Sequence, residues 1–430
     1  MVVVASPALE RRLRREVAGE VMFDGYARGR YATDASIYQM MPVGVVVPRS
    51  LEDVKAAIAA ARDEGVAVLA RGGGTSQCGQ TVNEALVIDT SKHLNRILEL
   101  DTANRRCVVE PGIVLDELNR ALKPYGLWFP VDVSTASRAT IGGMAGNNSC
   151  GGRSIRYGTM RDNVTSIEAV MADGTQAHFG PVDHVRAPLL ATDMLELGER
   201  YAGEIAERFP KVLRRVGGYN IDALVRSNSE INLAHLLVGS EGTLAYSAAI
   251  ELKLSPLPER KVMGVCHFPT FYQAMDAAQH LVTLKPQAVE LVDATMIALA
   301  REIEMFRPTV EAYVRGEPDA LLLVEFAEDD DAANKAKLAQ LDEMMGDLGF
   351  SWRGSGRASG GVVHVKDNAG QAALAEMRKS GLNIMMSMKT DGKPVSFIED
   401  CAVDLPDLAD YTAGITEIFT RHGTRGTWYA

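Results

Sequence analysis

Apolar positions follow two rhythms along this chain. Up to about residue 258 the apolar runs are short and bounded by Gly, Pro, Asp or Asn. GVVVP at 44–48 is a continuous run of the kind buried on both faces of a sheet, and Pro48 ends it. A helix follows: Leu51, Val54, Ile58 and Ala61 fall on one face, Ser50 stands at the N-cap, and Asp53 three residues on suggests a capping box. VAVL at 66–69 and LVIDT at 86–90 read as strands, so the first unit is β-α-β. Strands around 96–100 and 105–110 bracket the turn DTAN, a helix over 114–122 carries Leu115, Leu118 and Leu122 on one face, and Asp173-Gly174 marks a second hairpin. Residues 1–40 read as a helical arm, 183–236 as polar and helical, and 236–258 as two strands around the turn GSEGT.

Beyond residue 258 the rhythm changes to strand and helix in alternation. VMGVCHF, AVELVD, LLLVEF and VSFIED read as strands, with helices ending near 284 and 305 and others over 332–347, 371–379 and 405–421, before a closing GTWYA. That pattern predicts helices packed on a mainly antiparallel sheet, an α+β layer. The expected organisation is an arm over 1–40, one domain over 41–258 and another over 259–430.

Composition narrows the classes. With 430 residues, 47% hydrophobic and 23% charged, the chain has material for two or three ordinary globular domains. A net charge of −11 argues against non-specific binding to nucleic acid or to an anionic membrane. No apolar run approaches the ~18 residues of a membrane helix, and the apolar-then-basic N-terminus reverses the order of a signal peptide. The five cysteines, at 78, 107, 150, 266 and 401, are scattered and form no C-x-x-C. They indicate neither a disulfide framework nor a zinc or iron–sulfur site. A reducing, cytoplasmic setting is the expectation, in which the N-x-S/T triplets at Asn147 and Asn163 go unglycosylated.

The candidate chemistry lies in two glycine-rich stretches. RGGGTSQCGQ at 71–80 follows a strand, and its contiguous glycines leave room for successive N–H groups to turn inward as an anion-binding nest. GGMAGNNSCGG at 142–152 reads as a second loop of the same kind. The first has no Lys for a Walker loop and lacks the G-x-G-x-x-G spacing of a Rossmann fingerprint. Two such loops in one domain suggest a large anionic ligand held at two points, such as a dinucleotide.

These residues carry a family resemblance. P-x-S-x-x-D-V at 48–54, RGGGTS, VEPGI at 109–113 and GGMAGNNSCGGRSIRYGTMRDNV at 142–164 together resemble the FAD-binding domain of the vanillyl-alcohol oxidase/p-cresol methylhydroxylase fold. GSEGTL at 239–244 and the region after 258 resemble its FAD-linked oxidase C-terminal domain. FPKVLRRVGGYN, KPVSFIEDCAV and RHGTRGTWYA are most similar to the D-2-hydroxy acid dehydrogenase branch, in its long bacterial form with a downstream iron–sulfur domain. The resemblance implies that Arg71, Gly72, Gly73, Gly74, Thr75, Ser76 and Gln77 form the FAD pyrophosphate loop. It implies that Gly142, Gly143, Gly146, Asn147 and Gly152 pass close to the pyrophosphate and isoalloxazine, that Ser134 and Ser137 add hydroxyls, and that Glu241 and Gly242 approach the adenosine. Members with covalent FAD have a His where Thr75 stands, so non-covalent FAD is implied here.

For the substrate, Arg378 in EMRKSGL matches the family's carboxylate-binding Arg, a role suited to a bidentate fork. Leu382, Lys389 and Lys393 stand near the companion polar positions. Cys150, the methionines from Met377 to Met388, and His235, His364 and His422 read as structural. The implied reaction is oxidation of a D-2-hydroxy acid, with D-2-hydroxyglutarate first and D-lactate second, to the 2-oxo acid, electrons leaving to an iron–sulfur domain or another acceptor. A flavin-binding module without turnover of its own is the alternative. In the family the strand resembling GTWYA leads into a His-containing segment that binds a divalent metal or supplies the base. The expectation is therefore of a fragment that folds and binds FAD but reduces it slowly, the metal and cluster belonging to the longer form.

Overall fold

The computed structural model describes residues 7–184, 188–212, 214–225, 230–352, 360–388, 395, 398 and 401–428. The first sheet contains β1 (Glu20–Met22), β2 (Gly44–Val47), β3 (Val68–Arg71) and β4 (Leu86–Asp89), in the order β1-β2-β4-β3. β4 runs parallel to both β2 and β3. The continuous apolar runs of β2 and β4 are buried at every position, and helix Leu51–Asp63 covers them with Val54, Ala57, Ile58, Ala60 and Ala61. β3 is the edge strand and is only half-buried, which brings the loop after it to the surface of the sheet.

The arm is more than a helix. Helix Pro7–Glu16 buries Leu9 and Leu13, and β1 pairs antiparallel with β2. Asp53 makes this join rather than a capping box: its carboxylate accepts from the N–H groups of Ala18 and Arg49, each at 2.8 Å, while Ser50 Oγ accepts from Asp53 N–H at 3.3 Å.

The hairpin β5 (Ile97–Asp101) and β6 (Arg106–Val109) comes next, then the two-residue β7 (Leu127–Trp128), the hairpin β8 (Val164–Met171) and β9 (Gln176–Phe179), the long β10 (Ala245–Lys253), and β11 (Ser255–Pro256). β5-β6-β10-β8-β9 form an antiparallel sheet, and β11 pairs with β7. Helix Leu115–Leu122 buries its three predicted leucines in the core beside this sheet. Within 183–236 the long helix is Pro188–Arg208.

In the second half β12 (Val262–Phe268), β13 (Ala288–Asp293), β14 (Ala320–Phe326) and β15 (Gly361–Val365) form an antiparallel sheet in the order β13-β14-β12-β15. All seven residues of β14 are buried. Helices lie on both faces: Phe271–Leu281, Asp331–Asp347 and Leu408–Arg421 over one core, Ala294–Glu302, Arg307–Tyr313 and Asn368–Lys379 over the other.

Three expectations need correction. The second glycine-rich stretch begins as a helix, Ile141–Asn147, capped by Thr140, with Asn148 at φ 53° turning the chain out of it. The segment before GSEGT is a short helix, Ala234–Leu237, and not a strand. β15 was not expected: GVVHV is an edge strand whose Gly361 lies under Trp352, where a Cβ would come within 2.5 Å of the indole. The expected strand VSFIED and the companion positions Leu382, Lys389 and Lys393 fall on or among residues outside the described set.

Candidate FAD and substrate site

The loop after β3 packs directly on the segment before helix Ile141–Asn147. A Cβ on Gly72 would lie 2.0 Å from Thr140 Oγ1, and one on Gly73 would lie 2.3 Å from the Arg138 carbonyl oxygen. Gly74 takes φ 63°, and Ala35 N–H donates to its carbonyl at 3.2 Å. The first two glycines are thus required by close approach and the third by conformation.

Arg71 acts from behind. Its guanidinium donates to the carbonyl oxygens of Tyr31, Thr33 and Thr81 at 3.0, 2.8 and 2.9 Å and lies over the Tyr31 ring at 5.3 Å. Burial holds its pKa below the ordinary arginine value. The structure therefore makes Arg71 a brace for the loop and not a lining residue, a correction to its expected role.

A cavity of about 1550 Å³ opens along this loop. It exceeds the ~300–1,000 Å³ of an ordinary small-molecule pocket, as a dinucleotide together with a substrate would require. Gly72 to Gln77 form one wall, and among the described residues the N–H groups of Gly73 to Gln77 have no protein acceptor. Five successive residues that line a cavity and whose N–H groups have no acceptor among the described residues have the chemistry that receives an anionic diphosphate, so the residues present fit that group.

The same cavity is also lined by Ser134, Gly143 and the run 147–152. Gly142 and Gly146 point elsewhere: a Cβ on Gly142 would lie 2.5 Å from Pro111 Cβ, and Gly146 backs onto the turn 239–242, where Glu241 N–H donates to its carbonyl at 2.8 Å. Ser137 is exposed outside the cavity. Glu241 reaches the lining at φ 52° and accepts from Asn147 Nδ2 at 3.2 Å, while Gly242, at φ 70°, shapes the turn beside it. Burial raises the Glu241 carboxyl, against the Asn147 hydrogen bond. Cys150 lines the cavity half-buried.

The second half supplies the far end. Arg378 lies in the last turn of helix Asn368–Lys379, beside the fully buried Met377, where a cation also suits the helix dipole. Its side chain is 13% exposed, and its Nε lies 3.5 Å from Glu290 Oε2 on β13. Both residues line the cavity. Burial raises the Glu290 carboxyl; Arg378 and Arg153 oppose the shift, and Asp132 and Glu325 add to it.

Sequence reading missed Glu290 and Arg153. The Arg153 guanidinium donates to Asp132 at 3.2 Å and to Glu325 at 3.0 Å and lies 5.6 Å over the Trp128 ring. Asp132 belongs to the first half of the chain and Glu325 to the second, so this guanidinium joins the two halves. The signal was weak: Arg153 and Glu325 stand 172 residues apart. His235 stays largely buried with its pKa lowered by that burial, and His364 pairs with Asp342 at 3.0 Å. Among the described residues no three His, Cys, Asp or Glu side chains are placed to hold a metal, and no helix is long and apolar enough to cross a membrane.

Comparison with known families agrees with this architecture. A family described as the FAD binding domain matches residues 42–180, and one described as FAD linked oxidases, C-terminal domain, matches residues 257–430. The chain belongs to the FAD-linked oxidases, and its cofactor is FAD. Among characterised relatives it is 34% identical over 414 residues to a D-2-hydroxyglutarate dehydrogenase of Pantoea ananatis, covering 91% of this chain and 40% of that protein. It is 31% identical over 299 residues to a D-lactate dehydrogenase of Archaeoglobus fulgidus, covering 69% of this chain and 56% of that one. A solved alkyldihydroxyacetonephosphate synthase shares the fold, with a TM-score of 0.64, 19% identity and coverage of 89% of this chain and 64% of that one. The chain spans about two-fifths of the length of the dehydrogenase relatives it matches over nine-tenths of its own.

Proposed function

We propose that this chain carries the FAD and substrate sites of a D-2-hydroxy acid dehydrogenase, with D-2-hydroxyglutarate as the preferred substrate and D-lactate second. The observation that carries the reading is one cavity lined both by Gly73 to Gln77, whose N–H groups have no acceptor among the described residues, and by the largely buried cation Arg378. In this reading residues 41–258 bind the cofactor, 259–430 form the substrate domain, and 1–40 are an arm whose helix Pro7–Glu16 and β1 brace the first sheet. The names of the dehydrogenase relatives support the substrate class.

The N–H groups of Gly73 to Gln77 would donate to the diphosphate of the cofactor, and Gly143, which lines the same cavity, leaves space beside them. When bound, the flavin supplies the two-electron acceptor for hydride leaving the hydroxyl-bearing carbon. Arg378 holds the substrate carboxylate through its fork and fixes which face of that carbon is presented. Thr75 in place of a His makes the attachment non-covalent. Electrons leave to an iron–sulfur domain or another acceptor in trans.

The test is twofold. Acid precipitation of the yellow protein should release FAD into the supernatant, and flavin left on the polypeptide refutes non-covalent attachment. Anaerobic D-2-hydroxyglutarate should bleach the bound flavin while the L-isomer does not; bleaching by both, or by the L-isomer alone, refutes the substrate assignment.

A further inference from the structure

Alongside the cofactor loop runs part of the N-terminal arm, residues 31–41, none of which lines the cavity. It doubles back through a bridge between Thr33 and Gln39, with Met40 N–H donating to the Ala32 carbonyl at 2.9 Å. Its residues grip both ends of the loop 71–81. The Thr33 carbonyl accepts from Arg71 at 2.8 Å, and Ala35 N–H donates to the Gly74 carbonyl at 3.2 Å. Asp34 Oδ2 accepts from the Thr81 hydroxyl at 2.9 Å, and Tyr38 lies over Gly79, where a Cβ would come within 2.7 Å of its ring. Asp34 Oδ1 also accepts from Ser36 N–H at 2.9 Å, so one carboxylate shapes the turn that presents Ala35 and ties it to the far end of the loop.

The Ala35 contact sets a direction. In a planar trans peptide the carbonyl of one residue and the N–H of the next point opposite ways. With the Gly74 carbonyl held by the arm, Thr75 N–H is turned away from the arm, and Thr75 lines the cavity. Resting on the reading of Gly73 to Gln77 as the diphosphate site, we propose that residues 33–38 are a strap that fixes this loop in its anion-receiving form, with Asp34 as its positioning residue. As a charge, Asp34 attracts Arg71 and repels an incoming diphosphate. As an acceptor, it holds the turn to Thr81. Asp34→Asn separates the two effects: the amide oxygen still accepts from Ser36, the amide nitrogen donates to the Thr81 hydroxyl oxygen, and the charge is gone. Asp34→Ala removes both.

The experiment is FAD release from the purified, FAD-loaded protein on dilution, read as recovered flavin fluorescence, together with the melting temperatures of the loaded and the flavin-stripped protein. Asp34→Ala should hold FAD roughly tenfold more weakly than the unsubstituted protein, the scale of one hydrogen bond to a charged group. Asp34→Asn should hold it nearly as well as the unsubstituted protein. Because a ligand stabilises the folded state in proportion to its affinity, Asp34→Ala should narrow the gap between the loaded and stripped melting temperatures and leave the stripped value close to that of the unsubstituted protein. Asp34→Ala/Thr81→Val should hold FAD no more weakly than Asp34→Ala alone, since both changes break one link. Unchanged FAD affinity in Asp34→Ala overturns the strap. So do equal losses for Asn and Ala, because the charge beside Arg71 then accounts for Asp34. A further loss in the double variant, or equal falls in both melting temperatures with the gap intact, overturns it as well. Thr75→Glu, which puts a negative charge in the loop, is the parallel control. If it retains FAD as the unsubstituted protein does, the loop is not the diphosphate site and the inference falls with that reading. If it weakens FAD binding while Asp34→Ala does not, only the inference fails.

Discussion

Asp293, at the end of β13, shows how one side chain serves several parts. It is 5% exposed, its Oδ1 accepts from Met296 N–H at 2.8 Å to cap helix Ala294–Glu302, and its Oδ2 accepts from Trp428 N–H at 3.1 Å. Trp428 in turn stacks on Phe271 at 5.5 Å, so a single carboxylate ties the last described residue to the end of β13 beside helix Phe271–Leu281. Burial raises the Asp293 carboxyl, and the backbone hydrogen bonds only partly oppose it. A carboxyl raised in the folded state favours the protonated form there, so its contribution to stability is full below the unfolded value of about 3.9 and is lost as pH rises through the folded value. Asp293→Asn keeps the capping oxygen and removes the titration. Its melting temperature relative to the unsubstituted protein should therefore rise as pH increases from about 4 through the raised folded-state value, and level off above it. A difference that stays flat or falls over that range contradicts a raised Asp293. Asp293→Ala, which loses the cap at every pH, should cost about 0.5–2 kcal/mol.

At the scale of elements, the two glycine-rich stretches divide the work differently from what their similar composition suggests. RGGGTSQ was legible as a glycine-dependent loop after a strand, because contiguous glycines there answer to close approach and to a positive φ. GGMAGNNSCGG reads as a second loop, although its first half is helix. Glycine content misleads there because the glycines answer to packing: Gly142 lies against Pro111, where a side chain has no room, while a methyl added at Gly143 would meet only Thr140 Oγ1, at 3.3 Å, on the side that opens on the cavity. Period and caps, Thr140 before and Asn148 after, were the better signal. The alternating second half was legible because strand and helix lengths are ordinary, whereas the edge strand GVVHV, flanked by glycine, was not. The two glycines give a paired prediction. Gly142→Ala should destabilise by about 1–3 kcal/mol through overpacking, despite the helix propensity gained. Gly143→Ala should leave stability unchanged or raise it by up to ~1 kcal/mol, yet lower flavin content, because the added methyl stands in the cavity. Thermal unfolding and the ratio of flavin to protein absorbance read the two effects separately; equal losses of stability in both variants would refute the division.

Across the whole molecule, the cavity is lined by residues of both halves of the chain, and a cluster of ion pairs joins those halves. Arg153, with a side chain 20% exposed, reaches from Asp132 to Glu325, which is 5% exposed and also bonded to Lys261. Arg156 adds a hydrogen bond to the Ala327 carbonyl at 3.1 Å, and Trp128 Nε1 bonds the Pro256 carbonyl at the same distance beside the crossing point of the chain. This cluster was not legible in the sequence, since nothing local distinguishes Arg153 or Glu325 from any other charged residue and their pairing depends on how two separately folded sheets dock. Desolvated ions leave a large penalty when one partner goes, so Arg153→Met should destabilise by about 3 kcal/mol, the low end for a buried pair, because Lys261 still partly balances Glu325. Glu325→Met should cost a similar amount, leaving Arg153 with Asp132 alone. Arg153→Met/Glu325→Met should be less destabilised than the two single losses added together, with a coupling of about 0.5–3 kcal/mol in the double-mutant cycle. Limited proteolysis adds a second reading: each single variant should be cut faster in the exposed connection around residues 258–260, and the double variant less so than either. Additive losses with unchanged cutting would mean that the halves dock without this pair, and that Glu290 and Arg378 are brought to the cofactor wall by apolar packing alone.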